Sequence, residues 1–167
     1  MFIGISPDQV KTAAEADVGQ GFRLGTIGMY DDPTDGTKCF LYVEAGEAVT
    51  AAGYLCVVDS AYIAEMLDTT SSAPGAGAGQ RVGAAMAALA SGGQGWLQVY
   101  GKGSARTLAS AAKGTELTSS ATPGAVDDAT TAGLEVINGL SIGTATGGAE
   151  ATNADAYFNW PIVGRTL

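Results

Sequence analysis

Residues 92–108 read Gly-Gly-Gln-Gly-Trp-Leu-Gln-Val-Tyr-Gly-Lys-Gly-Ser-Ala-Arg-Thr-Leu. Trp96, Leu97, Val99 and Tyr100 are large side chains in a chain dominated by Ala, Gly, Ser and Thr. A short run of β-branched and aromatic residues with glycine on both sides spells a strand. Residues 101–103 then read as a turn, and residues 104–108 as a second strand leading back out. Small residues alone bury too little area to hold a core together, so this aromatic hairpin belongs at its centre. By the same argument Trp96, Tyr100, Tyr157, Phe158 and Trp160 are assigned to core packing, with an exposed sugar-binding platform as the competing reading.

The totals narrow the options. A chain of 167 residues accommodates one good core or two small ones. Its 25 glycines and low aromatic content suit close-packed strands and tight turns better than long helices. The net charge of −9 opposes binding to nucleic acid or to an anionic membrane. Histidine is absent, which removes His-containing triads and His-ligated metal sites. Cys39 and Cys56 each lie in an apolar run and read as buried free thiols, a disulfide between neighbouring strands being the alternative. Neither a signal peptide nor a membrane-spanning apolar run is visible, and the chain is expected to be made in a cytoplasm.

Working outward, Ser6-Pro7-Asp8-Gln9 has the form of a helix start, and residues 10–16 supply up to two turns. An extended arm fits residues 1–21 equally well, with Met1, Phe2, Ile3 and Ile5 as its apolar contacts. From residue 22 the pattern changes to strands. Residues 22–30 and 38–44 flank the acidic turn Asp31-Asp32-Pro33-Thr34-Asp35-Gly36, which reads as a hairpin. Further strands are expected at residues 47–51 and 53–59, with residues 62–67 either a strand or a helical turn. Residues 69–79 are low in complexity and mark a linker, the one credible sub-boundary within a β-rich domain of residues 22–167. Residues 81–90 lean to strand, and short segments follow at 115–119, 124–127, 134–145 and 156–163. The spacing predicts a mainly β fold, a compact barrel or sandwich of short antiparallel strands with at most one or two short helices.

A weak internal echo recurs at an offset near sixty: Gly53-Tyr54-Leu55 with Gly114-Thr115-Glu116-Leu117, Val82-Gly83-Ala84 with Ile142-Gly143-Thr144, and Trp96-Leu97-Gln98-Val99 with Tyr157-Phe158-Asn159-Trp160. Either two β units share one core, or Ala/Gly-rich sequence is aligning with itself. Charge is also uneven. Residues 69–113 hold no acid but carry Arg81, Lys102, Arg106 and Lys113, between two acidic portions. Such a band either orients docking onto a subunit or a neighbour, or is a solvated face.

Candidate chemistry is thin. The acidic tip departs from a calcium loop because Pro33 takes a ligand position and Tyr42 stands where a bidentate Glu is needed. Ser110-Ala111-Ala112-Lys113 matches a catalytic Ser-x-x-Lys in spacing alone. Gly101-Lys102-Gly103-Ser104 lacks the first glycine of a phosphate loop, because Trp96 stands there. No catalytic, cofactor or metal residue is assigned, and no enzyme activity is expected.

In order along the chain, Leu24-Gly25-Thr26, Asp35-Gly36, Phe40-Leu41-Tyr42-Val43-Glu44-Ala45-Gly46 and Val49-Thr50-Ala51-Ala52-Gly53-Tyr54-Leu55 are followed by Arg81-Val82-Gly83-Ala84-Ala85 and Gly95-Trp96-Leu97-Gln98-Val99-Tyr100-Gly101. With Gly124-Ala125-Val126-Asp127-Asp128 and Ile142-Gly143-Thr144-Ala145, this series resembles the head decoration, or cement, proteins of tailed bacteriophages from about residue 20 to the end. The resemblance implies a β-rich domain, commonly a homotrimer, on the outer surface of the capsid. There it would bridge major capsid protein subunits and stabilise the expanded shell, with no nucleic acid, membrane or cofactor as partner. A carbohydrate- or receptor-binding β module on a virion or fibre is the second expectation.

Overall fold

The computed structural model describes residues 5–17, 21–76, 81–146 and 151–167. They form one helical turn, α1 (Ala13–Asp17), and ten strands: β1 (Ile27–Asp32), β2 (Gly36–Ala45), β3 (Leu55–Val58), β4 (Ile63–Met66), β5 (Arg81–Ala85), β6 (Gln94–Thr107), β7 (Thr118–Ser119), β8 (Val126–Asp127), β9 (Glu135–Ile142) and β10 (Thr152–Thr166). The fold is mainly β, as the spacing predicts.

Strand pairing organises these elements into two closed rings. In the first, β2 pairs with β4, β4 with β3, β3 with β5, β5 with β6, and β6 returns to β2. In the second, β6 pairs with β8, β8 with β7, β7 with β9, β9 with β10, and β10 returns to β6. The order and sense of pairing are the same in both, including one parallel pair in each: Ala45 beside Ala64, and Thr107 beside Val126. The fold is therefore a duplication, two five-membered barrels sharing β6. Of the sequence echoes, Gly53 and Gly114 are true equivalents, both with positive φ ahead of β3 and β7. The Val82 and Trp96 echoes name the right strand pairs, β5 with β9 and β6 with β10, but not the right register.

β6 corrects the hairpin reading. Residues 101–103 are a kink inside one 14-residue strand, whose first part belongs to one barrel and last part to the other. Gly101 has φ +91°, and a Cβ there would stand 2.5 Å from the Thr37 carbonyl oxygen. The partner strand registers the kink: Cys39 faces Tyr100 and Phe40 faces Gln98. Buried Gln98 resolves the polar cost, its Nε2 donating to the carbonyls of Tyr100 (3.1 Å) and Lys102 (3.0 Å). Glycines that resemble a turn thus allow a bulge at the seam between barrels.

Three apolar clusters follow from this plan. Leu41, Val43, Val58, Leu97 and Val99 fill the first barrel; Leu117, Val126, Ile137, Ile142 and Phe158 belong to the second. β3 lies between them, with Leu55 and Val57 in one cluster and Cys56 and Val58 in the other, which is why its four residues are all buried and apolar. The third cluster lies on the opposite face of β2 and β6. There Phe40, Tyr42 and Trp96 are covered by Ile5, Phe22 and Leu24. Phe22, Tyr42 and Trp96 meet edge to face at 4.9–5.6 Å. Full burial of a side chain such as Phe40 contributes about 1.5–3 kcal/mol.

The helix also differs from the expected one. Ser6 closes only a turn, accepting from the Gln9 amide. The capping box is Thr12 with Glu15, whose carboxylate accepts from the Thr12 amide while the Thr12 hydroxyl accepts from the Glu15 amide. Just before it, Lys11 bridges to Gln94 as an isolated β pair. Residues 69–76 connect β4 to β5 within the first barrel, with Ser72 buried and bonded to the Asp68 carbonyl.

Candidate interaction surface

The acidic hairpin tip is held by lysines. Lys38 Nζ donates to Asp32 and Asp35 at 3.0 Å each, and Lys102 Nζ reaches the other oxygen of Asp35 at 2.8 Å. Asp32 accepts from the Thr34 and Asp35 amides as well, and these bonds with that from Lys38 lower its pKa to about 2. Burial pulls the Lys38 ammonium down, but its two carboxylate partners outweigh that and raise it. Among the described residues no group of His, Cys, Asp or Glu could hold a metal ion.

The four bases of the central band are placed separately. Lys102 belongs to that tip, and Arg106 lies 4.3 Å over the Tyr54 ring while donating to the Pro123 carbonyl. Arg81 lies 5.3 Å over the Tyr62 ring, and Lys113 is exposed in a turn. Lys102, Arg106 and Arg81 thus each have a different contact. Met1, Phe2 and Ile3 lie outside the described residues. Ile5 is buried against Trp96 and the glycine face of β1 rather than displayed. Cys39 and Cys56 are free and buried, and burial pushes the Cys56 thiol up to about 12.

The aromatic assignment splits. Trp96 and Phe158 are core residues, each 2% exposed, whereas Tyr100 (39%), Tyr157 (51%) and Trp160 (46%) face outward. Strand alternation is the cause. Along β10, Ala154, Ala156 and Phe158 turn inward, so Tyr157 between them turns out. Trp160 owes its position to a wide bulge. Phe158 pairs with Leu140 and Ile162 with Asn138, so three residues of β10 oppose the single residue Gly139. Gly139 has φ +78°, and a Cβ there would press on the Asn159 carbonyl at 2.6 Å. Trp160 itself has φ +51° directly before Pro161, a conformation that costs a bulky residue about 1–2 kcal/mol. Its ring lies 6.5 Å from that of Tyr100, tilted by 34°.

Beside this ridge is an apolar pocket of about 260 Å³. Leu41, Val82 and Val99 contribute from the two cores, and Gly25, Ile27, Tyr62, Trp160, Pro161 and Ile162 complete its lining with Arg81. Tyr62 also has positive φ, +65°, its ring seated over Gly25. The equivalent position of the second barrel, just ahead of β8, is Gly124 with φ +74°. A tyrosine is therefore held in a backbone conformation that the other copy of the unit gives to glycine.

No protein-family model matches the chain, and no curated protein or solved structure matches it. The surface offers exposed aromatic and aliphatic area on a rigid scaffold, which is the chemistry of adhesion. The sequence pointed to these aromatics as large residues but not to their direction; the alternation of Ala154, Ala156 and Phe158 was the available signal.

Proposed function

We propose that this protein is a capsid decoration protein that binds the outside of a phage head, bridging major capsid protein subunits and stabilising the expanded shell without catalysis. The observation that carries this reading is the outward ridge of Tyr100, Tyr157 and Trp160, the last of them displayed at the expense of backbone strain. Strain of this kind persists only where the surrounding structure over-determines it, and it concentrates at functional surfaces. The ordered series of sequence stretches that resembles the decoration proteins supports the major capsid protein as the partner. Contacts repeated over a lattice, and self-association as a trimer, would turn modest individual affinities into stable attachment. Co-sedimentation with expanded heads lacking this protein tests the reading: saturable binding is expected, and no binding at any protein concentration overturns it.

The exposed Tyr100–Trp160 pair gives the second reading, a carbohydrate-binding module, its specific support. A glycan array probed with the isolated protein separates the two. Binding to glycans that Trp160→Ala abolishes, without binding to heads, favours the module.

A further inference from the structure

We propose that the pocket between Ile27, Tyr62 and Trp160 binds a segment of a protein partner that presents an apolar side chain next to a carboxylate. Three observations lead there. The pocket, about 260 Å³, is below the roughly 300–1,000 Å³ of typical small-molecule sites and suits an inserted side chain. Its lining is mostly apolar, and Arg81 is the one charged residue among those that form it, in a chain whose net charge is −9. Arg81 belongs to none of the ion pairs among the described residues, and its guanidinium is held over Tyr62. Apolar lining with one oriented guanidinium complements an apolar group beside a carboxylate.

The third observation is the backbone. Of the three non-glycine residues with positive φ among the described residues, two, Tyr62 and Trp160, are walls of this pocket. The duplication supplies an internal control, because Gly124 occupies the Tyr62 position without such strain. Tyrosine at 62 gives the first barrel what glycine cannot: a ring that walls the pocket and supports Arg81. The inference does not rest on the capsid reading, since it concerns the isolated protein and a failure of head binding would leave it standing.

The test is a titration of ¹⁵N-labelled protein with a blocked Phe–Asp dipeptide, its Phe–Asn counterpart and a blocked Ala–Asp dipeptide. Phe–Asp is expected to shift Ile27, Arg81 and the Trp160 indole saturably. Phe–Asn should bind about tenfold more weakly, a difference of about 1.4 kcal/mol, and Ala–Asp should not saturate. Arg81→Gln should abolish the preference for Asp over Asn while its spectrum otherwise remains that of the folded protein. Tyr62→Gly, the residue of the equivalent position, should lose Phe–Asp binding. Equal affinity for Asp and Asn in the wild type, or no saturable shift at the pocket, would overturn the proposal. So would sedimentation showing concentration-dependent self-association that Phe–Asp reverses, because the pocket would then belong to a second copy.

Discussion

The two barrels are built on one pairing scheme yet are furnished differently. The first carries Tyr62 where the second has Gly124, and its outer face is lined by Phe40, Tyr42 and Trp96 under the N-terminal segment. The second is filled by Leu117, Val126, Ile137, Ile142 and Phe158; β7 and β8 are only two residues long, and Phe158 is the one aromatic in its buried cluster among the described residues. Where the two units meet, β6 kinks at Gly101 and β10 bulges at Trp160. A duplicated scaffold therefore brings two strained aromatic residues, Tyr62 and Trp160, to one pocket, while the position equivalent to Tyr62 in the other copy is a glycine at ease in the same backbone conformation.

Breaking the seam should have the largest effect. Gly101→Ala forces a side chain into left-handed backbone and against the Thr37 carbonyl, and chemical denaturation should show a loss of about 3 kcal/mol or more. Next comes the exchange of equivalent positions. Gly124→Tyr places a Cβ 2.5 Å from the Tyr54 ring at φ +74°, and should cost about 2–4 kcal/mol. Tyr62→Gly should change stability by only about 1 kcal/mol or less, since relief of strain offsets lost packing and added chain entropy. Equal losses for the two would remove the distinction between a strained and a relaxed copy.

A smaller effect belongs to the hairpin tip of the first barrel. Asp32 titrates lower in the folded protein, about 2 against an ordinary 3.8, so its contribution is complete above about pH 4 and disappears as pH falls toward 2. Asp32→Asn should flatten the acid-unfolding curve in that window and lower stability at pH 7. The smallest effect is at the ridge. Trp160→Ala should leave the denaturation midpoint nearly unchanged, because lost packing at a half-exposed site is set against relief of positive φ.

Much of this architecture was legible in the residues. Leu55-Cys56-Val57-Val58 reads as a strand because apolar side chains on both faces meet a core on both sides. The acidic turn before β2, the strand at β5 and the buried thiols follow from local chemistry in the same way. Two features did not follow. Gly-Lys-Gly is the same three letters in a turn and in a strand kink, and only the pairing of β6 with β2 and β10 distinguishes them. The ridge is hidden in the sequence because the size of Tyr157 suggests burial where strand alternation turns it outward, and because a left-handed tryptophan before proline is contrary to every local preference. Tyr62 was equally hidden, since its significance depends on Gly124 sixty-two residues away.

The proposed function rests on adhesion through the ridge at Trp160. Binding of the wild type and of a Tyr100→Ala/Trp160→Ala double variant to expanded heads, measured side by side with both proteins folded, tests it most directly. The account predicts saturable binding by the wild type and at least a tenfold loss in the variant. Identical binding curves, or no binding by the wild type, would contradict it.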